Sequence, residues 1–245
     1  MSEHTVRVEL SVSGHPIRVE LTVPDRDVRV DELLPAMYAL ADALVGSAVR
    51  RLEAQGKAVS CRKGCSACCR AQPVPITPVE AFALARRVDS LPEPRRSELL
   101  ARFRDREARL RDAGLYELFI RDAPVDDERQ AREAAAAYLE LGLACPFLED
   151  DACSIHPERP FVCRRYLVSS PARLCAAPLT NPVEIVPVPG NPAGALLEAS
   201  QALTGRPQLT VPLVLALAWH ERHADEFRQA TDPRPPLQRW LAALR

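Results

Sequence analysis

Eight cysteines fall into two groups along the 245-residue chain instead of being scattered through it. The first group is Cys61-Arg62-Lys63-Gly64-Cys65-Ser66-Ala67-Cys68-Cys69-Arg70. The second runs through Cys145-Pro146-Phe147, Cys153-Ser154-Ile155-His156 and Arg159-Pro160-Phe161-Val162-Cys163-Arg164, and closes at Cys175. Thiolates clustered this closely repel one another unless a cation holds them. A soft, thiophilic metal, zinc or iron in a cluster, meets that need. Arg62, Lys63, Arg70, Arg164, Arg165 and Arg173 stand close enough in sequence to lower thiolate pKa values and offset the charge of a thiolate-ligated centre. Candidate metal ligands are therefore Cys61, Cys65, Cys68, Cys69, Cys145, Cys153, Cys163 and Cys175.

Other readings of these residues carry less. A single buried cysteine is usually a small apolar residue, but clustering argues against eight of them being so. A disulfide framework needs an oxidising compartment and suits the adjacent Cys68-Cys69 pair poorly. Cys61-x3-Cys65-x2-Cys68 matches the spacing of radical S-adenosylmethionine enzymes, yet helices and proline-rich loops follow it where alternating strands and helices should. His220-Glu221-Arg222-His223 has its histidines three apart, where the zincin motif needs four. Adjacent side chains diverge, so Cys68 and Cys69 fit one small tetrahedral zinc badly. Two four-thiolate sites, or one cluster with supporting thiols, both remain open. The order of preference is an iron–sulfur cluster, then zinc, then a mononuclear or dinuclear iron site.

The near balance of 32 basic and 33 acidic residues gives no case for nucleic acid or an anionic membrane as a bulk electrostatic partner. A protein partner is compatible. The start, Met1 to Arg7, lacks the basic and apolar regions of a signal peptide. The longest apolar stretch read from the sequence, Val211 to Trp219, is far short of the roughly 20 residues of a membrane helix. The expectation is a cytoplasmic protein with reduced thiols.

The elements that must position the cysteines read as mainly α, with a small N-terminal β-hairpin and a metal-stapled, irregular cysteine-rich centre. Val6, Val8, Leu10 and Val12, then Ile17, Val19, Leu21 and Val23, alternate with polar residues and predict a hairpin over 5–24, turning at Ser13-Gly14-His15-Pro16. Leu33, Met37, Leu40, Leu44, Ala48 and Leu52 predict a helix from a cap at Asp31 to about Gln55. Thr77-Pro78-Val79-Glu80 combines a capping box with a first-turn proline, opening a helix to about Val88. Residues 95–113 read as a solvated helix laced with ion pairs, and Asp127 to Leu141 as a further helix closed by Gly142. After Cys175 a proline-rich connection precedes helices near 193–204, 210–230 and 235–244. The expected division is a hairpin over 1–30, a cysteine-cluster metal-binding domain over 31–176, and a C-terminal loop and helices over 177–245 packed on the same domain.

Taken together, Cys61, Cys65, Cys68 and Cys69, then Cys145-Pro146-Phe147-Leu148, Cys153-Ser154-Ile155 and Arg159-Pro160-Phe161-Val162-Cys163-Arg164, resemble the bacterial YkgJ-like cysteine-cluster family, a zinc- or iron-chelating domain of CxxCxxCC type. Cys175 looks like that family's eighth cysteine. The resemblance covers about residues 60–176 and implies a metal, often described as an iron–sulfur cluster. One relative, the flagellin lysine methylase, is similar in cysteine pattern and is associated with methyl transfer to protein lysines. That leaves a metal-dependent enzyme, a methyltransferase or redox protein, as the alternative to a binding or structural protein. No G-x-G nucleotide loop accompanies it here. His156 stands where the family commonly has an aromatic, so its role as a ligand stays open.

Further expectations concern geometry. The two groups should meet although 76 positions separate Cys69 from Cys145. The second should form a tight hairpin around Glu149-Asp150-Asp151 with Phe147 and Ile155 inward. A helix opened by Pro157 should carry Arg159 and Cys163 on one face and present Arg164 or Arg165 to thiolates or an acidic partner. Loops this rich in charge and proline bury little, so metal should supply much of the middle segment's folding energy. Chelation should lower the melting temperature by many degrees; an unchanged melting curve would remove the structural metal.

Overall fold

The structure, a computed structural model, describes residues 3–122, 127–204 and 209–244. The expected segments at 1–2, 123–126, 205–208 and 245 lie outside the described residues. The chain order is β1 (Glu3–Val12), β2 (His15–Pro24), α1 (Leu34–Ala54), β3 (Pro75–Ile76), α2 (Pro78–Asp89), α3 (Arg95–Asp112), α4 (Tyr116–Ile120), α5 (Glu128–Leu141), β4 (Leu148–Glu149), β5 (Ala152–Cys153), α6 (Phe161–Arg165), α7 (Pro192–Thr204), β6 (Val211–Pro212), α8 (Ala216–His223) and α9 (Arg234–Ala243). The fold is mainly α with a small N-terminal hairpin and a central group of cysteines.

Strict alternation makes the first two strands a half-buried ribbon. Val6 faces Leu21, Val8 faces Val19 and Leu10 faces Ile17 across the pair. The turn is only Ser13-Gly14, both at positive φ (49° and 79°), and His15 and Pro16 already belong to β2. A two-residue turn of this hand matches the twist of the strands, which is why the shorter connection wins over the four-residue cluster. Val12, Ile17, Leu21 and Val23 are buried, so the ribbon's inner face closes over α1.

α1 begins later than expected. Pro35 occupies its first turn, where it has no amide to offer, and a single 3₁₀ turn at Val30–Leu33 leads into it. Asp31 is not a cap. Its buried carboxylate pairs with Arg29 (3.1 Å) and Arg86 (3.4 Å), while Glu32 accepts the Arg29 N–H. The segment Val30–Ala54 is also long and apolar enough, by length and composition, to cross a membrane. The longest apolar element is therefore this one and not Val211–Trp219. Its Leu33, Met37, Leu40, Ala41 and Leu44 are fully buried at the centre of the core.

α2 opens as its capping box requires: Thr77 Oγ1 accepts the Glu80 N–H, and Glu80 accepts the Thr77 N–H. Asp127 caps α5 through the Arg129 and Gln130 amides, and Gly142 ends it at φ 57°. The expected helix over 210–230 is much shorter. Val211 and Pro212 instead pair with Ile76 and Pro75 and are held extended, while Leu213 donates to the Val74 carbonyl and opens a 3₁₀ turn at Leu213–Leu215. Only Ala216–His223 remains α-helical. α9 packs on α7, and the fully buried Trp240 donates its indole N–H to the Pro192 carbonyl (3.0 Å).

Hairpin and helices share one cluster of buried apolar residues, from Val12 to Leu244. Leu21→Ala should therefore cost about 2–5 kcal/mol and lower a single cooperative transition. Calorimetry showing two transitions, with only the smaller shifted, would make the hairpin an independent unit.

Candidate metal centre

The second cysteine group is built around a tight ribbon. Leu148 pairs with Cys153 and Glu149 with Ala152, and Asp150 and Asp151 form the turn, both at positive φ (46° and 57°). Acidic side chains of this length tolerate the left-handed region, so the sequence supplies a turn without glycine. Phe147 and Ile155 point inward as expected; Phe147 meets Phe103 edge-on at 5.5 Å. The same local step recurs at both ends of the ribbon: the Phe147 N–H donates to the Cys145 sulfur and the Ile155 N–H to the Cys153 sulfur. An amide two residues on favours the charged form of each thiol.

The helix after this ribbon departs from expectation. His156–Glu158 form a 3₁₀ turn, Arg159 is extended (ψ 143°), and α6 starts afresh at Phe161 with Pro160 at its cap. A residue preceding proline is driven out of the helical region, so Pro160 splits the predicted helix in two. Arg159 and Cys163 consequently do not share a helix face. Arg159 contacts the His156 ring, and its charge acts on Cys153. Arg164 is likewise not offered to thiolates or a partner. It is 3% exposed, stacked 4.1 Å over the Tyr38 ring, and bonded to Asp42 (2.7 Å) and to the Arg159 and Pro157 carbonyls. Arg165 turns to Asn191 and the Val188 carbonyl.

The first group meets the second directly. The Cys145 N–H donates to the Cys69 carbonyl at 2.7 Å. Ser66 donates to Asp151 (2.6 Å), and Arg70 bonds both Ser66 and Asp151, so the first loop grips the turn of the second ribbon. Ser60 donates its N–H to Val168 and its hydroxyl to Ser169. Gln72 bonds the Cys175 carbonyl (2.7 Å) and the Tyr166 hydroxyl (3.4 Å), and that hydroxyl in turn bonds the Cys175 thiol.

Within this frame, Cys61 and Cys175 lie near Cys65 and Cys68, and Cys145, Cys153 and Cys163 lie near one another and near Cys68. Cys68 and Cys69 sulfurs are 3.9 Å apart. Among the described residues no three Cys, His, Asp or Glu side chains converge on a common coordination point. The neighbourhood is shared, and ligation would need rotation of the thiols towards one another. All eight cysteines are free, Cys175 is buried, and the rest are partly buried. Burial pushes the thiol of Cys145 up to about 12, and those of Cys61, Cys153, Cys163 and Cys175 upward as well. The Cys69 thiol, hydrogen-bonded to it, and then burial raise Cys68. Protein charge alone therefore leaves these groups protonated, and a metal cation is what would make them thiolates.

The cations that do oppose this rise are Arg106 at Cys145 and Arg159 at Cys153, not the flanking Arg70, Arg164 or Arg165. Arg106 belongs to a row along α3 that the reading of a solvated face missed. Arg95 and Arg102 bind Glu149, Arg102 also the Pro146 carbonyl (3.2 Å), Arg106 the Ala144 carbonyl (3.1 Å), and Arg109 the Leu141 carbonyl. Their spacing, with Phe103 and Leu110 buried alongside, was the available signal. Also unforeseen is the second role of Glu80. Fully buried, it accepts the Phe161 N–H at 2.7 Å and the Tyr38 hydroxyl at 3.3 Å, joining α2 and α1 to the start of the helix that carries Cys163.

Comparison with known proteins gives one match. The family model described as "putative zinc- or iron-chelating domain", of CxxCxxCC type, matches residues 60–178. No curated protein and no solved structure matches the chain.

Burial holds the Glu80 carboxyl above its usual range, against the hydrogen bonds that pull it down. A carboxyl raised on folding favours the folded state below its unfolded pKa of about 4.3, and that contribution is lost as pH rises through the folded value. Glu80→Gln would place an amide NH₂ where an oxygen accepts. It should cost about 1–3 kcal/mol and flatten this part of the stability–pH curve, read from melts between acid and neutral pH. An unchanged curve would remove Glu80 from this role.

Proposed function

Residues 60–178 belong to the zinc- or iron-chelating CxxCxxCC family, and from that premise we propose that the chain holds a polynuclear metal–thiolate centre, an iron–sulfur cluster, gathered around Cys68. The observation that carries this reading is that Cys68 lies near two sets of thiols: Cys61, Cys65 and Cys175, and Cys145, Cys153 and Cys163. One tetrahedral ion uses four thiolates, fewer than this arrangement gathers. A cluster, which spreads its ligands over several irons, suits the donor set better. The amide N–H groups at the Cys145 and Cys153 sulfurs would stabilise ligated thiolates, and Arg106 and Arg159 would offset part of their charge.

The proposed centre staples the fold. It would tie the loop over 61–70 and the turn bearing Cys175 to the ribbon and α6, segments otherwise joined by a few polar bonds. When bound, such a centre supplies either fixed geometry or one-electron transfer. Eight free thiols fit a reducing compartment, and we place the chain there.

Metal and sulfide analysis with an absorption spectrum of anaerobically purified protein tests the reading. Iron, acid-labile sulfide and sulfur-to-iron charge-transfer absorption are expected. Cys68→Ser should abolish them, since it removes the one sulfur that lies near both sets. Zinc without colour would replace the cluster by two zinc ions sharing Cys68, and protein that binds neither metal would overturn the proposal. Because burial raises the thiols, ligation must release protons, so metal affinity should rise with pH and fall on acidification, as competition with a chromophoric chelator would show.

A further inference from the structure

We infer that the first cysteine loop and the turn carrying Cys175 form a docking surface for an acidic protein partner. A hollow of about 360 Å³ opens there, with Cys65 in its wall, Ala67, Ala71, Ala172 and Ala176 among its lining, and Arg70 and Arg173 on its rim. Arg62, Lys63 and Arg173 are exposed, and among the described residues none of the three side chains has an ion-pair or hydrogen-bond partner. Most arginines elsewhere are engaged: α3 spends its own on Glu149 and on carbonyls, and Arg86, Arg87 and Arg164 each hold a carboxylate. The nearby Asp151 is neutralised by Arg70. The cysteine loop and the Cys175 turn thus carry three uncompensated cations, although the chain's net charge is −1.

Among the described residues the exposed large hydrophobic ones are Val6, Leu179 and Ile185, and Leu179 follows the turn that carries Cys175. Leu179 is 64% exposed and follows Ala176 by three residues. Ile185, 56% exposed, bridges Val168, whose carbonyl takes the Ser60 N–H just before Cys61. A single exposed leucine or an unpaired arginine is ordinary on any surface. What distinguishes this surface is that both segments flanking a small-residue hollow, with a cysteine in its wall, carry unpartnered cations. A basic rim around an apolar floor complements an acidic segment with an apolar side chain at its centre. Nucleic acid is the poorer fit, because the hollow is lined by alanines with no aromatic ring to stack a base. The partner's access to a metal through Cys65 rests on the metal-centre reading; the surface itself does not.

The test uses the full chain, as purified and after metal removal, with a fluorescein-labelled peptide of Glu, Asp and Leu as probe. Fluorescence anisotropy should show binding that weakens as salt rises. The triple variant Arg62→Glu/Lys63→Glu/Arg173→Glu should weaken it at least tenfold, and Arg222→Glu/Arg239→Glu, an equal kind of charge change elsewhere, should leave it intact. Ala176→Trp, which fills the hollow without changing charge, should also abolish binding and guards against a triple variant that fails to fold. Amide shifts on peptide addition should be confined to 61–71 and 172–186. No peptide binding, equal binding by the triple variant, or preference for a single-stranded oligonucleotide or an anionic phosphatidylserine vesicle would each overturn the inference. Protein that carries no metal as purified and binds none on addition, yet binds the peptide, would sink the metal centre and leave the surface standing.

Discussion

A carboxylate with no access to water must find its partners inside the protein, and Glu80 finds them on three segments. Its oxygens take the Thr77 amide and hydroxyl at the start of its own helix, the Phe161 amide at the start of α6, and the Tyr38 hydroxyl of α1. Removing any one partner would leave a buried charge-bearing group underbonded, so the three segments are held in one relative position. Phe161 then packs edge-on against Tyr38 at 4.9 Å and stacks towards Trp240, carrying the constraint from α1 to α9. Cys163 lies two residues beyond Phe161. Its placement is thus inherited from a capping box 81 residues earlier in the chain, the separation between Glu80 and Phe161.

On the other side of the cysteines the constraint is spread out. The arginines of α3 fasten the segment 141–149 by its carbonyls and by Glu149, while Phe103 seats Phe147. Partly buried arginine bonded to backbone oxygen resists solvent competition better than an exposed ion pair does. α2, α3 and α5 thus form the scaffold between the cysteine groups, and the cysteine segments themselves contain little regular structure.

Much of this was legible in the residues. Alternation exposed the hairpin, the Thr77-Pro78-Val79-Glu80 box placed the start of α2, and Asp127 with Gly142 bracketed α5. Inward Phe147 and Ile155 followed from the ribbon's short apolar runs. These features are local, and local stereochemistry decides them. What escaped depended on partners distant in sequence. Pairing with Pro75-Ile76 shortened the helix expected from residue 210, and burial beside Arg29 and Arg86 took Asp31 away from capping. Arg164 reads as a surface cation until Tyr38 and Asp42 are seen around it. The break at Pro160 is a local signal: Pro157 and Pro160 together suggest one helix start, but the second disfavours a helical Arg159. That the two cysteine groups meet was legible, but how the eight thiols divide among neighbourhoods was not, because spacing orders residues along the chain and says nothing of their places in space.

The bond between the Cys145 amide and the Cys69 carbonyl also sets a timetable for biosynthesis. A ribosome completes the first four cysteines and then adds 76 residues before that amide exists. At about 5–20 residues per second this is several seconds of nascent life with vicinal thiols and no second half to the site. Cys175, which joins Cys61 and Cys65, comes 30 residues later still. The intervening helices must emerge and fold before the two halves can close. Assembly of the proposed centre would therefore follow the scaffold, and in that interval the early thiols stand open to a stray oxidant or a misplaced ion.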